Sequence, residues 1–415
     1  MATTWTGHTP APAHLRLTAA LALGRLAAWL SRAVLGRSGG VIGGRVLAAV
    51  APDATSRLAR HHRVVLVSGT NGKSTSTAML AAALGVQRRP ATNADGANTP
   101  AGLCWTVATA SAPDVVLEVD EAWLPWAVRT FDPVAVVLLN LARDQLHRNP
   151  EVSRLAQRWR DALSAVPLVV ANADDPWVVW AAGTAERQVW VAAGQEWDED
   201  SLMCPACGDL LDRGAAWSCR CGTARPTPDW VLRPGAIVAP NGDAVRYATL
   251  PGNSNLANAA MALAAAVELG IPPVAAGRSL AGVRVVAGRY ATTRVGNHEI
   301  RLVLAKNPAS WRSALDMIGG DSAAVLLAFN AEGADGRDTS WLYDVDFSVL
   351  RGRSVVVCGS RATDLAVRLE MAGVEVAGQY ADERTALHAI RPGTVDLLAT
   401  YTAFQHARRA LTRAA

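Results

Sequence analysis

The chain has 415 residues, more than one hydrophobic core usually supports, so two or three domains are expected. Half of the residues are hydrophobic and 18% are charged, which excludes a disordered chain; a formal net charge of +4 gives no mandate for nucleic acid and suits an enzyme that handles phosphates. Of 40 basic residues only Lys73 and Lys306 are lysines, each inside a motif-like string where a compact ammonium does what a planar guanidinium does not.

In chain order, Leu15 to Leu35 is the most apolar segment, but it carries Arg16, Arg25 and Arg32. It therefore offers no uncharged run of the ~18 residues that span a bilayer. It also lacks a small-residue cleavage site after a clean apolar core, which argues against a secretory signal. Leu17, Leu21, Ala28 and Leu35 can share one helical face, so residues 1–60 are expected as a helical segment packed on the core. A membrane-surface role is the minor reading. The chain is expected in the cytoplasm, with the inner face of the membrane as the alternative.

Val64–Val67 is a short apolar run opening into the loop Gly69-Thr70-Asn71-Gly72-Lys73-Ser74-Thr75, and Ser74–Leu84 reads as a helix. Buried-strand candidates follow at Val115–Val119, Val134–Leu139, Leu168–Val170 and Val189–Val191, with a helix at Glu151–Ser164. Such alternation implies an α/β domain, assigned to residues 61–290, with a mostly parallel sheet between helices. Residues 196–230 break the rhythm and read as an insertion. A helix resumes at Asn255–Leu269 and stops at Gly270 and Pro272-Pro273. Strands at Ile300–Leu304, Ala323–Phe329, Ser354–Cys358 and Val395–Leu398 then define a second, smaller α/β domain over residues 291–415.

The glycine loop meets the demands of a nucleotide cradle. Its glycines let backbone N–H groups turn onto phosphates, and the helix that follows offers its positive end. Lys73 can reach the β- and γ-phosphates, and Ser74 or Thr75 can offer a hydroxyl to Mg²⁺. The polar stretch Asn93 to Asn98 is a candidate substrate loop, with a plain turn as its rival.

Cys204-Pro205-Ala206-Cys207-Gly208 and Cys219-Arg220-Cys221-Gly222 form two thiolate knuckles, spaced for a four-sulfur Zn²⁺ site at about residues 200–225. With every position filled by protein, such a site is a structural staple. Cys104 and Cys358 read as ordinary buried thiols. After the Ala323–Phe329 strand, the acid-rich tail segment Asn330 to Phe347 sits where open α/β domains bind ligands.

Taken together in order, the glycine loop, Val116-Leu117-Glu118-Val119-Asp120-Glu121-Ala122, Asn140-Leu141-Ala142-Arg143-Asp144-Gln145-Leu146, Asn172-Ala173-Asp174-Asp175-Pro176, Gly252 to Ala260, and Gly288-Arg289 resemble the Mur ligases and folylpolyglutamate synthases. The resemblance implies a Mur-ligase-like ATPase domain, with Glu118 and Ser74 on Mg²⁺ and with Asn258 and Arg289 on the nucleotide. Two departures stand out: Gln145 replaces a metal-binding histidine, and no lysine lies between Lys73 and Lys306 to be carbamylated. The cysteine insertion, Leu304-Ala305-Lys306-Asn307-Pro308-Ala309 and the tail from Asp335 to Phe347 narrow the resemblance to the MurT family.

That resemblance implies ATP-dependent amidation of the D-glutamate α-carboxylate of lipid II, through an acyl phosphate. Ammonia would come from a GatD-like glutamine amidotransferase, since neither lone cysteine lies in a nucleophile turn. It further implies a required tail aspartate, matched best by Asp344 and less well by Asp338 and Asp346. Lys73 and Glu118 complete the expected catalytic set. The rivals are a ligase that joins an amino acid to a carboxylate and a zinc-ribbon NTPase on nucleic acid. The acids Asp198, Glu199, Asp200, Asp209 and Asp212 around the cysteines disfavour the second.

Overall fold

The computed structural model describes residues 13–35, 39–93, 96–144, 151–246, 250–283 and 290–414. It opens with α1 (Ala13–Leu35), α2 (Gly40–Val50) and α3 (Ala54–Ala59). Small residues let α1 and α2 approach the Pro100–Thr109 helix closely. A Cβ on Gly24 would lie 2.6 Å from the Trp105 ring, and one on Gly44 would lie 1.7 Å from the Ala101 carbonyl oxygen. Ala20, Ala28 and Ser31 are buried on the same face of α1 as Gly24. The opposite face is apolar and exposed. The segment Leu15–Val34 is also long and apolar enough to cross a membrane by length and composition, despite its arginines. The expectation of a helix simply packed on the core thus holds for one face only.

The first sheet is built from β1 (Arg63–Ser68), α4 (Lys73–Leu84), β2 (Ala91–Thr92), α5 (Pro100–Thr109), β3 (Asp114–Val119), α6 (Leu124–Phe131), β4 (Ala135–Leu138), α7 (Val152–Leu163), β5 (Val169–Asn172), α8 (Pro176–Ala182) and β6 (Gln188–Ala192). A short hairpin, β7 (Asp212–Arg213) and β8 (Trp217–Ser218), carries the cysteine insertion. The chain then rejoins the sheet as β9 (Trp230–Arg233), β10 (Ala236–Val238) and β11 (Ala244–Arg246). The strand order is β2-β3-β1-β4-β5-β6-β9-β10-β11, parallel as far as β9 and antiparallel beyond. Alternating side chains fill two layers. Val65, Val67 and Val137 pack under α4, α9 (Asn253–Glu268) and α10 (Pro273–Ala281), while Val64, Leu66 and Val136 face α5 to α8. β1 lies between β3 and β4, so connections leave it to both sides and the strand ends open a crevice there.

The second sheet has the order β12-β13-β17-β14-β15-β16. Its elements are β12 (Tyr290–Val295), β13 (His298–Leu304), α11 (Pro308–Asp316), β14 (Ala324–Ala328), β15 (Val355–Cys358), α12 (Ala362–Met371), β16 (Val376–Tyr380), α13 (Glu383–Ala389), β17 (Gly393–Ala399) and α14 (Tyr401–Ala414). Only β12 runs antiparallel. The strands anticipated from apolar runs appear within one or two residues of their expected ends. The very short strands (β2 and β7 to β11) and the polar ones (β12 and β16) were not anticipated.

Candidate functional site

The loop after β1 is held by the segment after β4. The Thr70 hydroxyl donates to the Ala142 carbonyl at 3.1 Å and accepts from the Ala142 N–H at 3.0 Å. Asn140 accepts from the Asn71 N–H at 2.9 Å and donates to the Asn71 carbonyl at 3.1 Å. Gly72 has φ +83°, and a Cβ there would lie 2.2 Å from Asn258 Oδ1, so only glycine fits between loop and α9. Asn258 Oδ1 also accepts from the Ser76 hydroxyl at 3.1 Å.

Lys73 is buried at the first turn of α4. Its ammonium donates to the Gly69 and Thr70 carbonyls and to Glu121 Oε2 at 2.8 Å. Burial acts to lower its pKa. Glu121, with Glu118 and Asp120 behind it, more than offsets this and raises it above the ordinary value. Glu121 is not singled out from sequence, where Glu118, three residues earlier, is expected as the Mg²⁺ ligand. The difference is made by the single 3-10 turn Glu121–Trp123, capped by Asp120 Oδ1, which accepts from the Ala122 N–H. This turn swings Glu121 inward, and no spacing rule reveals it.

Glu118 is buried at the end of β3. Asn98 donates to its Oε1 at 3.1 Å, and the Asn93 side chain bonds both its N–H and its carbonyl at 2.8 Å. The polar stretch read as a substrate loop therefore grips the acid next to Lys73. Ser74 and Thr75 lie in the first turn of α4, so hydroxyl and carboxylate oxygens flank the loop, the hard donors that Mg²⁺ prefers. Arg289 and Gln145 lie outside the described residues.

The second sheet supplies the facing wall. Lys306, just past β13, pairs with the buried Asp144. Burial acts to raise the Asp144 pKa, yet Lys306 holds the carboxyl below its ordinary value. The side-chain amides of Asn307 and Asn71 meet at 3.3 Å. Asn307 also caps α11, accepting from the Ser310 N–H. Asp344 Oδ2 lies 3.1 Å from Arg143 Nη2. Arg143 in turn pairs with Asp200, which accepts from Trp197 Nε1 at 2.7 Å and so ties the insertion to the cleft. Asp338 and Asp346 accept from the N–H two residues on, which makes them turn formers. A cavity of about 400 Å³ lies between Asn71, Gly72, Thr75, Asn258 and the α11 residues Ser310 and Ser313.

Asp175, the N-cap of α8, accepts from Leu141 N at 2.8 Å, Trp177 N at 3.0 Å and Val178 N at 3.2 Å. Burial pushes its carboxyl up to about 6 against these donors.

The four cysteines converge with every Sγ within 4.8 Å of the others. The sulfurs of Cys204 and Cys221 lie 3.6 Å apart and those of Cys207 and Cys219 3.4 Å. These distances exceed the ~2.05 Å of a disulfide and approach the ~3.8 Å edge of a tetrahedron built from Zn–S bonds of ~2.3 Å. The Thr223 hydroxyl and then its N–H lower the Cys221 thiol to about 6. Cys104 and Cys358 are buried.

The profile described as MurT ligase C-terminal matches residues 304–404. The chain is 30% identical over 434 residues to a lipid II isoglutaminyl synthase (glutamine-hydrolyzing) subunit MurT from Streptococcus pneumoniae, covering 94% of this chain and 96% of that protein. The subunit of the same name from Staphylococcus aureus is 30% identical over 393 residues, 87% of this chain and 89% of its own length. Among solved structures, the MurF ligase from Thermotoga maritima in complex with ADP superposes with a TM-score of 0.61 at 16% identity, covering 90% of this chain and 85% of that one. The two sheets thus have the Mur-ligase-like α/β fold, with a four-cysteine cluster inserted in the first.

Proposed function

The chain belongs to the MurT family, and on that premise we propose that it is the ATP-dependent ligase that amidates the D-glutamate α-carboxylate of lipid II. Residues 61–290 would bind ATP, residues 291–415 would close over it, and residues 1–60 would be a helical segment packed on the core. A GatD-like glutamine amidotransferase would supply ammonia.

The reaction would run through an acyl phosphate. An oxygen of the stem carboxylate attacks the γ-phosphorus, the bond to ADP breaks, and an acyl phosphate forms. Ammonia attacks its acyl carbon, the carbon–oxygen bond to phosphate breaks, and the surplus proton passes to a base. Lys73 would leave the loop carbonyls to offset charge on the transferring phosphoryl group. Ser74 and Glu118 would hold Mg²⁺, which when bound supplies further neutralisation of the phosphates. Gly69, Thr70, Asn71, Gly72 and Thr75 would cradle the phosphates, and Asn258 and Arg289 would meet the rest of the nucleotide. Zn²⁺ on the four cysteines would be structural. Asp344 would act at the ammonia step.

One observation carries this reading: the segment after β4 holds the glycine loop through Asn140 and Ala142 and meets the second sheet through Asp144 with Lys306 and Arg143 with Asp344. Two features support a docked glutaminase. Tyr343 and Met371, 66% and 60% exposed, form an apolar rim beside Asp344. Both cysteines outside the cluster are buried, so this chain presents no thiol there for glutamine hydrolysis. The test is amidation of lipid II by the co-purified complex, followed by mass spectrometry with ATP and glutamine. Conversion of the carboxylate to its amide is the expected result. Incorporation of an amino acid, with no ammonia consumed, would transfer the chain to the amino-acid ligases.

A further inference from the structure

Helix α1 carries a surface that neither the cleft nor the cysteine insertion uses. At about 100° per residue, Leu15, Leu23, Leu26, Trp29, Leu30 and Val34 fall in one strip roughly 140° wide. All six are exposed, from 45% for Leu30 to 74% for Val34. Single exposed leucines are ordinary, whereas a continuous strip of this size marks an interaction site. Arg25 and Arg32 lie along one edge of the strip and Arg16 along the other, all three exposed, and α1 contains no Asp or Glu.

We infer that α1 lies in the surface of an anionic phospholipid bilayer, with the leucine–tryptophan strip among the acyl chains and the arginines at the headgroup phosphates. Charge complementarity selects this occupant. A strip bounded by cations and free of acids matches a layer that is apolar inside and negative at its edge, and long arginine stems let the guanidinium reach up while the backbone sinks. The helix lies flat and does not span. Its inner face is closed against the protein by Ala20, Gly24 and Ala28, and Gly24 abuts the Trp105 ring. A spanning α1 would have to abandon that contact. The hairpin of α1 and α2 is also close to the cleft: α2 packs on α5 through Gly43, Gly44, Ala101 and Trp105, and the residue two before α5, Asn98, holds Glu118. A bilayer under α1 would thus lie one helix away from the acid beside Lys73.

The inference rests on α1 and is read without turnover, so it stands or falls separately from the ligase reading. Full-length protein, with its glutaminase partner if the two co-purify, is sedimented with phosphatidylcholine vesicles or with vesicles rich in phosphatidylglycerol. Binding to the anionic vesicles should be at least about tenfold tighter and should weaken as salt screens the arginines. Leu26→Asp with Leu30→Asp should weaken it at least tenfold and leave the melting temperature unchanged, because both side chains are already in solvent. Arg16→Ser with Arg25→Ser should remove the preference for anionic vesicles. Absence of vesicle binding by the natural chain, or undiminished binding by the aspartate variant, overturns the inference. A natural-chain dimer dissolved by the aspartate variant would assign the strip to a second copy, and loss of the co-purified partner would assign it to that subunit. Retention in the bilayer through a high-pH carbonate wash would replace the surface geometry with a span.

Discussion

Lys73 is held by a carboxylate and two carbonyls, and each partner has a different consequence when removed. Lys73→Ala should abolish ATP-dependent amidation. Lys73→Arg should restore little, because a planar fork does not fit a cradle shaped around one ammonium. Glu121→Ala should cost about 3–5 kcal/mol in unfolding free energy at neutral pH by leaving a buried charge without its partner. Glu121→Gln keeps an acceptor in place, and a loss of about 1–3 kcal/mol is expected. Denaturant melts of the three proteins check the order, and equal stability of the natural and alanine forms would remove Glu121 from this role. Asp344→Asn should retain folding and nucleotide binding but lose amidation when glutamine is the sole nitrogen source. Recovery in excess ammonium at raised pH would place Asp344 in delivery from the partner; no recovery would place it in the ligase step. Lys73 and Asp344 stand out in sequence because each lies in a string whose neighbours constrain it. Glu121 does not, since its orientation is set by a three-residue turn, and Glu118, Asp120 and Glu121 lie too close in sequence to be told apart.

At the scale of elements, α8 and the cysteine hairpin show what sequence reading can and cannot reach. The string Asn172 to Pro176 signals a helix start, but not that the cap is fully buried and also receives Leu141 from the next loop. That burial makes a pH prediction. The Asp175 carboxyl, raised to about 6 in the fold, stands above the ~3.9 of an unfolded aspartate. Its stabilising contribution is therefore complete below about pH 4 and is lost as pH rises through about 6, by roughly 3 kcal/mol. Asp175→Asn has no such titration, so the natural chain's advantage over it should shrink across that interval in thermal or denaturant melts. A gap that widens with pH would reverse the assignment. The hairpin behaves differently. The convergence of its four cysteines was legible in the CxxC and CxC spacing, whereas its bond to the cleft through Trp197, Asp200 and Arg143 joins residues far apart in sequence. Cys204→Ser should lower the melting temperature more than it alters nucleotide affinity, and metal analysis of reduced natural protein should find one zinc per chain.

The two sheets carry separate cores, each of two apolar layers. Tyr290 touches both, and Ala142, Trp197 and Ala309 form a small cluster apart from either. Met317 packs against Gly252 as well, and polar pairs also cross the junction: Lys306 with Asp144, Asn71 with Asn307, Arg143 with Asp344, and Ser313 with Glu196. Such a junction suits a cleft that opens and closes around ligands. Lys306 is its most consequential member, being one of two lysines and the only cation paired with the buried Asp144 among the ion pairs described here. Lys306→Met should therefore lower kcat/KM for amidation by at least about a hundredfold and leave both cores folded. The pH dependence separates a lost pair from a local packing defect. In the natural chain Lys306 holds Asp144 below the ordinary carboxylate range, so the pair's stabilisation is present above about pH 4 and is lost as pH falls through the depressed value. In the methionine variant burial, which favours the protonated acid, is opposed only by the weaker influence of Lys73 and Asn307. The stability gap between the two proteins should hence widen from acid toward neutral pH, to about 3–5 kcal/mol. A gap that is constant with pH would mean that Lys306 serves only as packing at the mouth of the cleft.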